Sequence, residues 1–216
     1  MTRSTFLGGG EVYRADDYGW KRTQLVQTIY GNATGDLFGW SIDVTAEGNK
    51  IVLGLPGSYN YTDKPRYIQA YSLDSDDEAG YDTWNQIDQD IIGEANGDEF
   101  GYSVSISEEG KTIAVGAEYG ANNNLGYARI YRLEDDGMSW GQIGEDIDGE
   151  AAYDNTEVSV SLSTDGSTIS IGEPFNNDNG VTSGQVMVYR INSEGLSWER
   201  LVQGMATMQV IILGHL

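Results

Sequence analysis

Carboxylates and amides are the groups through which this sequence could do chemistry. It holds 34 acidic residues against 12 basic ones, a single His and no Cys. One series of candidates is rich in Asn: Asn60 and Asp63, then Asn122, Asn123 and Asn124, then Asn176, Asn177, Asp178 and Asn179. A second series is acidic: Asp90, Glu94 and Asp98, then Asp146, Asp148, Glu150 and Asp154. Together they would suit a hydrogen-bonding surface for a protein, glycan or cation. A pair of these acids about 5–10 Å apart would suit glycoside hydrolysis. The same residue types also serve as turn formers, because Asn and Asp tolerate left-handed backbone and cap their own amides. Nucleophilic chemistry has little to work with. Without Cys there is no thiolate, disulfide or Cys-based zinc site. His215 lies in a terminal stretch, Met205 to Leu216, that breaks the acidic, Tyr-rich style of the rest, so a Ser-His-Asp arrangement lacks a base elsewhere. No Gly-rich phosphate loop opens a helix.

The elements that must position these groups come from a repeat. The stretch 98–140 reads as two alternating runs about Glu109-Gly110, then Y-A-R-I-Y-R-L, then a run led by Trp140. Its landmarks recur upstream as Asp36, Phe38-Gly39, Gly54, Tyr71 and Trp84, and downstream as Asp154, Gly172, Tyr189 and Trp198. The Asp-to-Gly distance is constant (36 to 54, 98 to 116, 154 to 172), as is the Trp-to-Asp distance (84 to 98, 140 to 154). Length changes fall between hairpins, as expected of repeated sheets. Each unit reads as four antiparallel strands. Glu47-Gly48, Glu109-Gly110 and Asp165-Gly166 read as two-residue primed turns with Gly at positive φ. Residues 10–14 match a third strand and 20–27 a fourth, so a half unit precedes three whole ones.

The first two strands of a unit carry small residues (Ser103, Ser105, Ala114; Ser159, Ser161, Ser170) and the last two carry Tyr and Trp. Sheets that converge on an axis need slim residues inside and aromatics outside, which favours a β-propeller over a sandwich. The division expected is a tail at 1–9, a half-blade at 10–35, blades at 36–92, 93–148 and 149–203, and an atypical tail at 204–216. The array is either a fragment of a larger propeller or a four-bladed ring closed by strands such as Val210–Leu213. Recurring Trp84, Trp140 and Trp198 are expected to pack between blades rather than to stack on sugars. Recurring Asp98 and Asp154 are expected to accept backbone N–H bonds at the start of the inner strand.

A net charge of −22 repels nucleic-acid phosphates and anionic lipid, so neither is an expected partner. No run approaches the ~20 apolar residues of a membrane span, and the first residues do not form a signal peptide.

Phe38-Gly39, Phe100-Gly101 and the motifs Gly54-Leu55-Pro56, Gly116-Ala117-Glu118 and Gly172-Glu173-Pro174 resemble FG-GAP repeats, the blades of integrin-alpha-type β-propellers. The third unit departs, with Glu157-Val158 in place of Phe-Gly. The resemblance implies an extracellular or cell-surface adhesion scaffold that binds a protein or carbohydrate, associates with other blades or with itself, and is not an enzyme. The family's calcium loop, of Asp-x-Asp-x-Asp-Gly type, is missing: one carboxylate on a short turn cannot supply the 6–8 oxygens that Ca²⁺ takes. No cofactor is therefore expected, with calcium left as the alternative. Ser163-Thr164-Asp165-Gly166-Ser167-Thr168 also resembles the Asp-box turn of sialidase propellers, but Arg132 and Arg190 fall on separate units and are expected at the rim. Alternatives to the scaffold are a glycosidase-type propeller hydrolase and a structural surface protein.

Overall fold

The structure is a computed structural model that describes residues 9–10, 13–15, 22–24, 28–31, 35–57, 66–76, 81–119, 125–149 and 158–201. Among these there is no helix. Four short strands open the chain: β1 (Gly9–Gly10), β2 (Tyr13–Ala15), β3 (Arg22–Gln24) and β4 (Ile29–Tyr30). The first full sheet holds β5 (Ser41–Val44), β6 (Lys50–Leu55), β7 (Tyr67–Asp76) and β8 (Tyr81–Ile92). The second holds β9 (Ser103–Ile106), β10 (Thr112–Ala117), β11 (Tyr127–Leu133), β12 (Trp140–Gln142) and β13 (Ile147–Asp148). The third holds β14 (Ser159–Leu162), β15 (Thr168–Glu173), β16 (Gln185–Ile191) and β17 (Trp198–Arg200). Each sheet is an antiparallel meander in chain order, with β12 and β13 both pairing β11 as one interrupted outer strand.

The opening strands have the register of an outer pair. Tyr13 faces Gln24 and Gly10 faces Ile29, as Tyr131 faces Gln142 and Ala128 faces Ile147, every residue being displaced by 118 (131 − 13, 142 − 24, 128 − 10, 147 − 29).

Neighbouring sheets approach most closely along their first strands, β5 against β9 and β9 against β14, while Trp84, Trp140 and Trp198 stand on the outer strands β8, β12 and β17. That is the wedge expected from side-chain size. The space between sheets is apolar. Val52, Ile68 and Ala70 of the first sheet pack against Val104, Ile106 and Ile113 of the second. Ala114, Ala128 and Ile130 of the second pack with Val158, Ile169 and Ile171 of the third. Trp140 joins the first of these cores and Trp198 the second, while Trp84 packs in a third with Phe38, Ile51, Leu53 and Leu55 and with Ile29 of β4. The Trp198 indole N–H donates to the Ile143 carbonyl at 3.2 Å.

The inner strands carry Ser for a further reason than size. Ser41 faces Gly54 across β5–β6, and Ser103 faces Gly116 across β9–β10. Each hydroxyl donates to the next sheet: Ser41 to the Gly101 carbonyl (2.8 Å) and Ser103 to the Val158 carbonyl (2.5 Å). A Cβ on Gly54 would lie 2.0 Å from the Gly101 oxygen, and one on Gly116 would lie 2.7 Å from the Val158 oxygen. The landmark glycines are thus close-approach points between sheets. Farther along, Asp43 accepts from Ile106 N (2.8 Å), and the Ser105 hydroxyl accepts from Leu162 N (3.1 Å).

Two expectations need correction. The first-strand hairpins are not two-residue primed turns. Gly48, Gly110 and Gly166 take φ of 69°, 65° and 67°, but the preceding Glu47, Glu109 and Asp165 do not have positive φ. Instead Gly N–H groups bond back to the carbonyls of Thr45, Ser107 and Ser163 (2.8 Å each), the pattern of an ordinary turn followed by a left-handed Gly. The hydroxyls of those three residues accept from Lys50, Thr112 and Thr168 N–H at 3.0–3.1 Å, a device that repeats in all three sheets. The third-unit departure also shifts by one. Ser159 pairs Gly172 as Ser103 pairs Gly116, so Val158 aligns with Tyr102 and the residues aligned with Phe-Gly are Thr156-Glu157.

Candidate functional site

Of the Asn-rich loop series, Asn60, Asp63, Asn122, Asn123 and Asn124 lie outside the described residues, as do Glu150, Asp154 and Val210–Leu213. The third loop, 174–184, is described and divides in two. Asn176 is buried; its Oδ1 accepts from Asp178 N (2.9 Å), its N–H donates to the Glu173 carbonyl (3.3 Å), and its own carbonyl accepts from Gly184 N (3.0 Å). Asn177 Oδ1 accepts from Thr182 N at 2.7 Å. These two amides build the loop. Asp178 and Asn179 are exposed, beside Phe175 and an 89 % exposed Val181. The loop therefore leaves Phe175, Asp178, Asn179 and Val181 in solvent, two of which are apolar residues that the polar pattern did not single out.

The acidic series is largely architectural. Buried Asp98 accepts from Phe100 N (3.1 Å), Ala95 N (3.2 Å) and the Tyr127 hydroxyl (2.8 Å), the expected role at the start of an inner strand. Asp36, equally placed in the first sheet, accepts from the Tyr67 hydroxyl at 3.1 Å. Burial, reinforced by those carboxylates, pushes the Tyr67 and Tyr127 phenols well above the ordinary value. The left-handed backbone at Leu37 and Glu99 (φ 54° and 56°) repeats with this turn and is part of it.

Asp90 and Asp146 belong to the outer strands rather than to the connections between sheets. Asp90 Oδ1 accepts from Gln69 and Gln86 amides at 2.7 and 2.9 Å. Asp146 Oδ1 accepts from Arg129 Nε and the Gln142 amide at the same two distances. Arg129 also donates to Glu94 (2.9 Å), and its guanidinium sits 5.2 Å from the Tyr127 ring centroid and 5.9 Å from that of Phe100. Burial opposes ionisation of Asp146, but the Arg129 hydrogen bonds and charge outweigh it and hold that carboxyl below its ordinary value. Glu94 and Asp148 go the other way, raised first by burial and then by Asp146. Arg129 was not legible as a partner. The signal was a polar residue two before the repeating Tyr in two of the three units: Gln69 before Tyr71 and Arg129 before Tyr131, against Met187 before Tyr189.

The turn carboxylates are locally engaged. Glu47 accepts from the Asn49 amide (2.8 Å), Glu109 pairs with Lys111 (2.9 Å), and Asp165 accepts from the hydroxyls of Ser163 (2.6 Å) and Ser167 (2.9 Å). The Ser163 and Ser167 bonds hold the Asp165 carboxyl down to about 2. Arg132 and Arg190 are exposed, on β11 and β16.

Three four-stranded meanders that converge on their first strands define an all-β, propeller-like protein. The chain carries an FG-GAP repeat, whose family model matches residues 93–131, from the connection holding Glu94 and Asp98 through β11. No curated protein matches the sequence. Among solved structures, a candidate 6-phosphogluconolactonase of Bacteroides uniformis matches with TM-score 0.54 and 13 % identity, over 89 % of this chain and 50 % of its own. One from Bacteroides fragilis gives 0.52 and 11 %, over 88 % and 46 %. A hypothetical selenium-binding protein of Sulfolobus tokodaii gives 0.53 and 13 %, over 89 % and 45 %. The likeness is one of fold. The chain spans about half the length of these structures.

Proposed function

We propose that the chain is a non-enzymatic binding scaffold, extracellular or at a cell surface, that presents a loop face to a protein or glycan. The observation that carries this is the 174–184 loop: its base is tied by Asn176 and Asn177, and it projects Phe175, Asp178, Asn179 and Val181 into solvent. A shaped loop on a rigid sheet end is where binding is usually built. The repeating Asp36 and Asp98 are spent on Tyr hydroxyls and backbone amides, which favours architecture over catalysis for them.

The reading extends to the array. Ile42 and Val44 of β5 and the preceding Trp40 are exposed, whereas Val104 and Ile106, aligned with the first two, are buried under the first sheet. At the other end Val186 is 70 % exposed, whereas the aligned Ile68 and Ala128 are buried. The first of these fits the inner strand pair that the opening outer pair lacks, and the second fits a further sheet.

Glycan-array and peptide-display profiling of the chain and of a Phe175→Ser/Val181→Ser variant tests the loop face. Specific binding that the variant loses without a change in melting temperature is the expected result. Turnover of glycoside or lactone substrates, or binding indifferent to the loop, would overturn it.

A further inference from the structure

The sheets repeat, but one groove between them does not. Asp88 and Gly144 occupy the same step of an outer strand, four residues after its Trp (84 to 88, 140 to 144), and both are left-handed, with φ of 65° and 72°. At the boundary of the first and second sheets, the Asp88 carboxylate accepts from Trp140 N at 3.0 Å and ties β8 to β12. At the boundary of the second and third sheets, Gly144 has no side chain to do this. A Cβ there would lie 3.2 Å from the Leu196 carbonyl and 3.3 Å from Trp198 Cδ1. The space left is a groove of about 500 Å³, lined by Gly144, Glu145, Asp146, Asp148, Tyr189 and Trp198.

Its lining differs in charge as well as in room. Gln89 and Ile92 stand at the first boundary where Glu145 and Asp148 stand at the second, each displaced by 56 (145 − 89, 148 − 92). Asp146 is neutralised by Arg129. Among the described residues neither Glu145 nor Asp148 has an ion-pair partner. The opposite wall is aromatic, with the Trp198 indole fixed by its bond to the Ile143 carbonyl.

We propose that this rim groove seats a cationic side chain, Arg or Lys, of a basic peptide. The cationic head would meet Glu145 and Asp148, and the flat or alkyl stem would lie along Tyr189 and Trp198. A neutral sugar would use the rings but leave two carboxylates without a counter-charge, whereas a cation satisfies both walls. The groove is at the rim, so the proposal stands apart from the loop-face reading.

The test titrates acetyl-Gly-Arg-Gly-amide into the full chain, read by Trp fluorescence and by NMR, near physiological salt, where charges more than about 8 Å apart are largely screened. Gly144→Asp copies the first boundary. It closes the groove yet adds a negative charge, so bulk attraction and groove binding respond with opposite signs. Gly144→Asp should weaken binding about tenfold or more by filling the groove, and exposed Glu145→Gln/Asp148→Asn should do so comparably, for loss of two charge contacts. Melting temperatures that fall by no more than about 4 °C would assign the loss to the groove. Binding that is absent in the parent chain, or equal or tighter in Gly144→Asp, would overturn the proposal, as would displacement of the peptide by neutral N-acetylglucosamine.

Discussion

Replacing Asp98 by Ala tests whether the repeating acid is a structural member. The side chain is 2 % exposed and accepts from two backbone amides and one phenol, at 3.1, 3.2 and 2.8 Å. Hydrogen bonds to a charged acceptor contribute about 1.5–3 kcal/mol each, and buried donors left without one cost about 1–3 kcal/mol. Three donors sharing one acceptor are not independent, so the expected loss is about 3–5 kcal/mol rather than the simple sum. A chain of this length loses about 2–4 °C per kcal/mol, so the melting temperature should fall by roughly 10 °C. Tyr127→Phe removes one of the three donors and should cost about 1–2 kcal/mol, and the double variant should fall short of additivity by about 1 kcal/mol. Urea and thermal unfolding of the four proteins measure the cycle. A loss below about 1 kcal/mol in Asp98→Ala, or full additivity, would refute the architectural assignment.

The remaining predictions concern packing and charge. Gly54→Ala and Gly116→Ala must push against a neighbouring sheet's backbone and should cost about 3 kcal/mol or more. Gly48→Ala meets nothing within 4 Å and should cost only the left-handed backbone penalty, about 1 kcal/mol. Equal losses in chemical denaturation would remove the close-approach argument. Arg129→Met, the residue that Met187 supplies at the aligned position of the third sheet, leaves Asp146 without its cation. A loss of about 2–4 kcal/mol is expected, largely recovered by adding Asp146→Asn. The pH profile has three parts. Glu94 and Asp148 have raised folded values, so their cost is relieved and stability rises as pH falls from neutral toward about 4. Asp146 is depressed, so its contribution, present above about 4, is lost as pH falls further. Tyr67, Tyr71, Tyr127 and Tyr131 are raised, chiefly by burial, so stability falls as pH rises above about 10. Melting temperature against pH, with Asp148→Asn flattening the first part, checks the signs.

The strands, their order and the inner and outer halves of each sheet were legible because they rest on period-2 alternation and on residue size, both local properties. The role of Asp98 was legible because a residue that repeats with the scaffold serves the scaffold. The turn type was not, because Glu-Gly is compatible with a primed turn and with an ordinary turn followed by a left-handed Gly. The choice lies with the hydroxyls of Thr45, Ser107 and Ser163 across the hairpin. The loop amides looked alike in sequence. Only the fold buries Asn176 and leaves Val181 in solvent.

By itself the sequence determined a repeating, acidic, all-β array with slim inner strands and aromatic outer ones, since periodicity, spacing and volume are carried by each unit alone. Tertiary structure decided what joins one unit to the next. The Ser41 and Ser103 hydroxyls reach carbonyls 60 and 55 residues away, and Gly144 lines a groove at the step where, one sheet earlier, Asp88 accepts from Trp140 N. Hydrogen bonds and voids of that kind depend on distances across a gap between sheets, which no local pattern along the chain encodes.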